Sequence, residues 1–111
     1  MNEGKLSLDV CVTEKEVIVL APMAGVDQDS VDVTLVEDLL TIRGKRIHPL
    51  SGEAHVSAHT ECFWGAFSRS VVLPVAVLDD AARAECAQGL LVIRVPRRES
   101  GNTIPVVFVE E

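Results

Sequence analysis

Val31-Asp32-Val33-Thr34-Leu35-Val36-Glu37-Asp38-Leu39-Leu40-Thr41-Ile42-Arg43 is the stretch on which the fold turns. Val31, Val33 and Leu35 alternate with Asp32 and Thr34, the period of two that sends side chains to opposite faces of a strand. The acidic pair Glu37-Asp38 separates this run from Leu39-Leu40-Thr41-Ile42-Arg43, so the segment reads as a β-hairpin.

Strand signals extend outward on both sides. Leu6, Leu8, Val10 and Val12 alternate with Ser7, Asp9 and Cys11, which predicts a first strand with one buried face. Val17-Ile18-Val19-Leu20-Ala21 is an unbroken, largely β-branched run suited to a more central strand, and Pro22, Ala24 and Gly25 end it. Downstream, the pattern fails over residues 47–61, with Pro49, Gly52 and three histidines. This reads as a long loop of the kind that usually carries function, with a short strand near residues 55–57. Ser68-Arg69-Ser70-Val71-Val72-Leu73 before Pro74 and Leu90-Leu91-Val92-Ile93-Arg94-Val95 before Pro96 are strands. Residues 79–89 have an acidic start, several alanines and a closing glycine, which by intrinsic propensity describe a short helix. At least six strands and at most one short helix make an all-β, antiparallel β-sandwich the natural architecture.

Composition narrows the function. A chain of 111 residues, 48% hydrophobic, is one domain with one core. Its net charge of −7 opposes a phosphate backbone, and Phe63, Trp64, Phe67 and Phe108 are too few to form a stacking ladder, so nucleic acid is not an expected partner. The N-terminus lacks the order of a secretory signal and no apolar run approaches membrane-spanning length, so the expectation is a cytoplasmic protein with no membrane partner. Cys11, Cys62 and Cys86 are odd in number and far apart, as reduced thiols are.

The search for chemistry is largely negative. Gly44-Lys45 lacks the earlier glycine of a phosphate loop, where Leu39 stands, and Arg46 replaces its hydroxyl residue. No Gly-x-Ser-x-Gly elbow occurs. His55, His59 and Cys62 form His-x-x-x-His-x-x-Cys; a helix would bring the two histidines to one face, but the composition is that of a loop, and no metal or other cofactor is expected. Phe63 and Trp64 precede Gly65 and Phe67. Phe67 suits the core, and at least one of the other two suits an interface.

Beyond the polar stretch at residues 97–103 lies Ile104-Pro105-Val106. Proline between two branched residues favours an extended backbone with both flanking side chains on one face, able to fill two pockets along a sheet edge. Equally, the continuing run Val106-Val107-Phe108-Val109 could make the tail the last strand of the domain's own sheet. The residues alone leave both open.

Several segments in this order together resemble the α-crystallin domain of small heat shock proteins, the Hsp20 family, in its bacterial form. They are Leu8-Asp9-Val10, Ala24-Gly25-Val26, Val31-Asp32-Val33-Thr34-Leu35, Leu40-Thr41-Ile42-Arg43-Gly44-Lys45-Arg46, Gly65-Ala66-Phe67-Ser68-Arg69-Ser70 with Leu73-Pro74, and Ala84 followed by Gly89-Leu90-Leu91. The resemblance implies an immunoglobulin-like sandwich over residues 5–97 and a C-terminal extension over 98–111. It implies that residues 82–86 form a strand against their helical propensity. It also implies an ATP-independent holdase rather than an enzyme, with non-native client proteins and its own copies as partners, in a homodimer or a larger oligomer. Ile104, Pro105 and Val106 match the family's C-terminal docking motif, and the groove that receives it maps to Val31, Val33 and Leu35 on one strand and Ala82, Ala84 and Cys86 on another. Exchange of the long loop, residues 47–59, would build the dimer by pairing with the first strand. The interface so implied contains Leu6, Leu8, Val10, His55, Val56 and Ser57, together with Phe63 and Trp64.

The sequence departs from the family pattern at Leu39, where glycine is frequent, at Met23, where proline is usual, and at Cys86, where a larger residue is common. Only about five residues precede the first strand, where typical members carry a long variable arm. The alternative of a different class is a co-chaperone binding module of the CS type, the same sandwich without self-assembly. A hydrolase or metal enzyme using His55 and His59 is the weakest reading.

Overall fold

In a computed structural model, which describes residues 6–99 and 104–110, seven strands follow one another. They are β1 (Asp9–Val12), β2 (Glu16–Pro22), β3 (Asp32–Val36), β4 (Leu39–Arg46), β5 (Gly65–Val72), β6 (Arg83–Ala87) and β7 (Leu90–Pro96). Single turns of 3-10 helix, Gln28–Ser30 and Asp79–Ala81, lead into β3 and β6. The strands form a four-stranded sheet in the order β1-β2-β7-β6 and a three-stranded sheet in the order β3-β4-β5. Every pairing is antiparallel.

The period-two readings carry directly into the core. Val17, Val19 and Ala21 of β2, with Met23 just beyond it, face Leu40 and Ile42 of β4 and Phe67 of β5, and Leu91, Ile93 and Val95 of β7 complete the layer. All are buried, and burying each branched side chain is worth about 1.5–3 kcal/mol. The tip of the Phe67 ring packs close to Gly44, where a Cβ would come within 2.6 Å of Cζ. Glycine there lets the largest core side chain fit under β4. The Arg46 guanidinium sits 5.4 Å from the Phe67 ring centroid and donates to the carbonyls of Ala24 and Pro22 at 2.9 and 3.1 Å, pinning the crossover from β2 to β3 against the end of β4.

The hairpin at residues 31–43 forms as read, with Val33 opposite Ile42 and Leu35 opposite Leu40. Its turn residue Glu37 takes a positive φ of 57°, and its amide donates to Asp79 Oδ2 at 2.9 Å. The bond fastens this turn to the 3-10 segment before β6.

The structure corrects the sequence reading at several boundaries. The first strand begins at Asp9 rather than Leu6. Leu6 is buried in the core, and its carbonyl accepts from the Arg69 guanidinium at 2.8 Å. The helical reading of residues 79–89 fails after a single turn. Residues 83–87 form β6 because their backbone groups bond to β7, with Ala84 opposite Ile93 and Cys86 opposite Leu91, and a sheet ladder outweighs intrinsic propensity. Gly89, read as a helix cap, instead shares a two-residue hairpin turn with Gln88. Their φ values of 73° and 56° are both positive, as a type I′ turn requires. Within the single chain, residues 55–57 form no strand.

An open groove between two sheet edges

β3 ends one sheet and β6 ends the other, on the same side of the sandwich. Among the described residues each has a partner on one flank only, so each presents unpaired backbone groups. Between them runs a groove whose walls run in opposite directions. At one end Val33 and Leu35 face Ala82 and Ala84 across a cavity of ≈ 240 Å³, floored by Leu40 and Ile93 and edged by Asp79 and Arg83. At the other end Val31 faces Cys86 in a larger cavity of ≈ 330 Å³ that also contains Met23, Val26 and Leu91. The six groove residues named from the sequence therefore converge, though in two cavities rather than one. Short side chains on β6 keep the groove open: Ala84 and Cys86 stand exposed, while Val31, Val33, Leu35 and Ala82 are half-buried against the core.

Met23, Val26 and Leu91 were not among the expected groove residues. A signal for two of them existed, since Met23 continues the buried alternation of Val17, Val19 and Ala21, and Leu91 begins that of Ile93 and Val95. Both strands reach the groove floor at their ends, where the Met23 amide donates to the Gly89 carbonyl at 2.6 Å.

The tail is separate from both sheets. Residues 104–110 form no strand, which removes the reading of the tail as the last strand of the domain's own sheet. Ile104, Val106 and Phe108 are 80%, 74% and 92% exposed. With Val107 and Val109 also exposed, this short segment forms a continuous exposed apolar stretch.

The long loop gathers its polar residues around a shallow depression. His48 stacks on His55 with ring centroids 5.3 Å apart and lies 4.8 Å from Trp64. Trp64 is half-buried beside Gly25, and Phe63 is half-buried as well, so the aromatic pair anchors the base of the loop. Val56 is 93% exposed, and Ser57 bonds to Thr60 through their hydroxyls. His55 Nδ1 lies 2.8 Å from the Glu53 carbonyl and His59 Nε2 2.6 Å from Glu61 Oε2. Among the described residues no group of three or more His, Cys, Asp or Glu side chains converges as a metal site would require. Of the other expected interface residues, Val10 is half-buried on β1 and Leu8 is half-buried just before it; β1 is an edge strand whose far flank has no partner among the described residues, while the Leu6 side chain is enclosed in the core.

Two antiparallel sheets packed face to face, with a groove held open between the β3 and β6 edges, define an α-crystallin-type β-sandwich. The chain belongs to the Hsp20/alpha crystallin family, whose sequence profile matches residues 9–107. It is 31% identical over 96 residues to small heat shock protein C2 of Rickettsia felis, covering 86% of this chain and 62% of that protein. It is 33% identical over 92 residues to spore protein SP21 of Stigmatella aurantiaca, covering 83% of this chain and 54% of that one. Heat shock protein 16.0 from Schizosaccharomyces pombe superposes with a TM-score of 0.79 at 26% identity, covering 97% of this chain and 100% of that structure. The chain spans little more than half the length of the curated relatives it matches. Among the described residues no helix is long and apolar enough to cross a membrane.

Proposed function

We propose that this chain acts as an ATP-independent holdase, binding partly unfolded proteins through apolar surface and unpaired backbone and so keeping them from aggregating. Family membership supports this reading, and the observation that carries it is the groove. An unfolded chain exposes apolar segments with unsatisfied amides and carbonyls, and the groove offers both an apolar floor and free strand edges. No nucleotide is needed, because binding and release follow from competition between the protein's own segments and the client for one surface.

Assembly supplies that competitor. The folded domain spans residues 5–97 and the extension 98–111; Ile104 and Val106 of the extension enter the β3–β6 groove of a neighbouring copy, with Pro105 holding the segment extended. The dimer beneath this assembly forms when the loop at residues 47–59 crosses to a partner and pairs with the free flank of β1. The exposure of Val56 and the unpartnered edge beside Leu8 and Val10 support that pairing. Leu6 would meet the partner through its backbone, and Phe63 and Trp64 would hold the loop's root. The working location is the cytoplasm, with no nucleic acid, membrane or cofactor involved.

The test is a heat-labile protein warmed with and without the intact chain while light scattering is followed, with sedimentation velocity run in parallel. Suppressed scattering and species at or above dimer mass are expected. A dimer that leaves scattering unchanged would overturn the holdase. Removing residues 49–57 should convert dimers to monomers, and an unchanged dimer mass would overturn loop exchange.

A further inference from the structure

On the docking reading above, Ile104 and Val106 leave part of the groove unfilled. In an extended chain, residues two apart share a face, so Ile104, Val106 and Phe108 form a row of three. The walls are also built in threes, Leu35, Val33 and Val31 along one side and Ala82, Ala84 and Cys86 along the other. Row and walls each cover four residue steps, roughly 13 Å. Resting on the docking reading above, we infer that Phe108 is a third anchor, seated in the cavity at the Cys86 end when the 104–109 segment of a second copy occupies the groove.

Size and chemistry select that cavity for the ring. Its volume is ≈ 330 Å³, whereas an enclosed space of about 150 Å³ already holds a benzene molecule. No charged side chain lines it; the sulfur-bearing residues Met23 and Cys86 do, beside the uncharged Gln28 and Gln88. Sulfur against an aromatic ring is a favourable contact, and methionine adapts its shape to the group it meets.

Charge fixes the same polarity independently. The Ala82 end lies beside Asp79, Asp80 and the turn acids Glu37 and Asp38, with Arg83 as the single counter-charge. Around the Cys86 end, the acids Asp27, Asp29, Asp32 and Glu85 are offset by Arg43, opposite Asp32, and by Lys45 and Arg46, whose backbone and side chain are tied there by the bond from the Asp27 amide to the Lys45 carbonyl and by the Arg46 contacts to Ala24 and Pro22. Glu110 and Glu111 follow Phe108-Val109 in the sequence. Running Ile104 to the Ala82 end and Phe108 to the Cys86 end carries these carboxylates away from the acidic cluster, whereas the reverse direction drives them into it.

The experiment uses the full chain and reads the dissociation constant of assemblies beyond the dimer by sedimentation. Phe108→Ala is expected to raise it about tenfold or more. Cys86→Phe, which fills the cavity from an exposed position, should raise it comparably, and the double variant should be no weaker than either single one. The Met23 methyl resonance, readily distinguished because the chain has two methionines, should lie upfield in the assembled protein and lose that shift in Phe108→Ala. If the pair Ile104→Ala and Val106→Ala dissolves the assembly while Phe108→Ala leaves its dissociation constant alone, the third anchor is wrong and the docking reading stands. If neither change has any effect, both fail. Multiplying effects of Phe108→Ala and Cys86→Phe, or an unmoved Met23 methyl, would place Phe108 elsewhere and overturn the inference.

Discussion

Val19, Ile93 and Ala84 lie side by side in one row across β2, β7 and β6, on the face turned toward the other sheet. The first two are sealed, at 0% and 1% exposure, and the third is open. Both flanks of β7 carry an antiparallel ladder, over seven positions with β2 and five with β6, yet β2 buries every second residue and β6 exposes all five. The difference comes from the opposite layer. A three-stranded sheet cannot cover a four-stranded one, so the row runs out of partners at β6. Hydrogen bonding alone defines a strand, but only a covering layer turns it into core. The open flank is where binding surface is available without loss of stability.

The comparison breaks most visibly when one charge is placed at each end of that row. Val19→Asp buries a carboxylate with no counter-charge and should cost about 4 kcal/mol or more, or abolish cooperative unfolding altogether, as urea denaturation would show. Next, Gly44→Ala should cost about 1–3 kcal/mol, because the new Cβ meets the Phe67 ring at 2.6 Å. Most of that penalty should vanish in a Phe67→Leu background, and a double-mutant cycle showing simple additivity would disprove the contact. Glu16→Gln removes the 2.6 Å ion pair with Arg94, which also lies directly opposite Arg83 on β6. The half-exposed pair and the unrelieved like charges together predict a loss of about 0.2–1 kcal/mol in thermal unfolding, shrinking with added salt. The smallest effect belongs to Ala84→Asp, which should shift stability by less than about 0.5 kcal/mol. That same change should disrupt assembly beyond the dimer in sedimentation. A large stability loss there would show that β6 is covered after all.

How far the molecule can be read from its sequence follows the same division. β2, β7 and the β3–β4 hairpin are legible because each has a covered face, and burial imposes alternation on the residues that form it. β6 carries no such pattern. Its Arg-Ala-Glu-Cys-Ala is helix-like by propensity, and only the resemblance to a family indicated a strand. Leu6 shows the limit of the pattern: its place in the alternating run correctly put it on a buried face, but the strand itself starts only at Asp9. The groove is harder still. Val33 and Ala84 lie far apart in sequence and meet only because β3 and β6 end their respective sheets on the same side.

By itself, the sequence determined an all-β chain, its central strands, the long loop and an apolar tail set off by a polar stretch, because periodicity, turn chemistry and composition are local properties. Tertiary structure alone decided that residues 83–87 pair with β7, that the groove divides into two cavities, and that Met23 and Leu91 help form the larger one. Those outcomes depend on which edges two stacked sheets leave uncovered, and no local pattern encodes the absence of a neighbour.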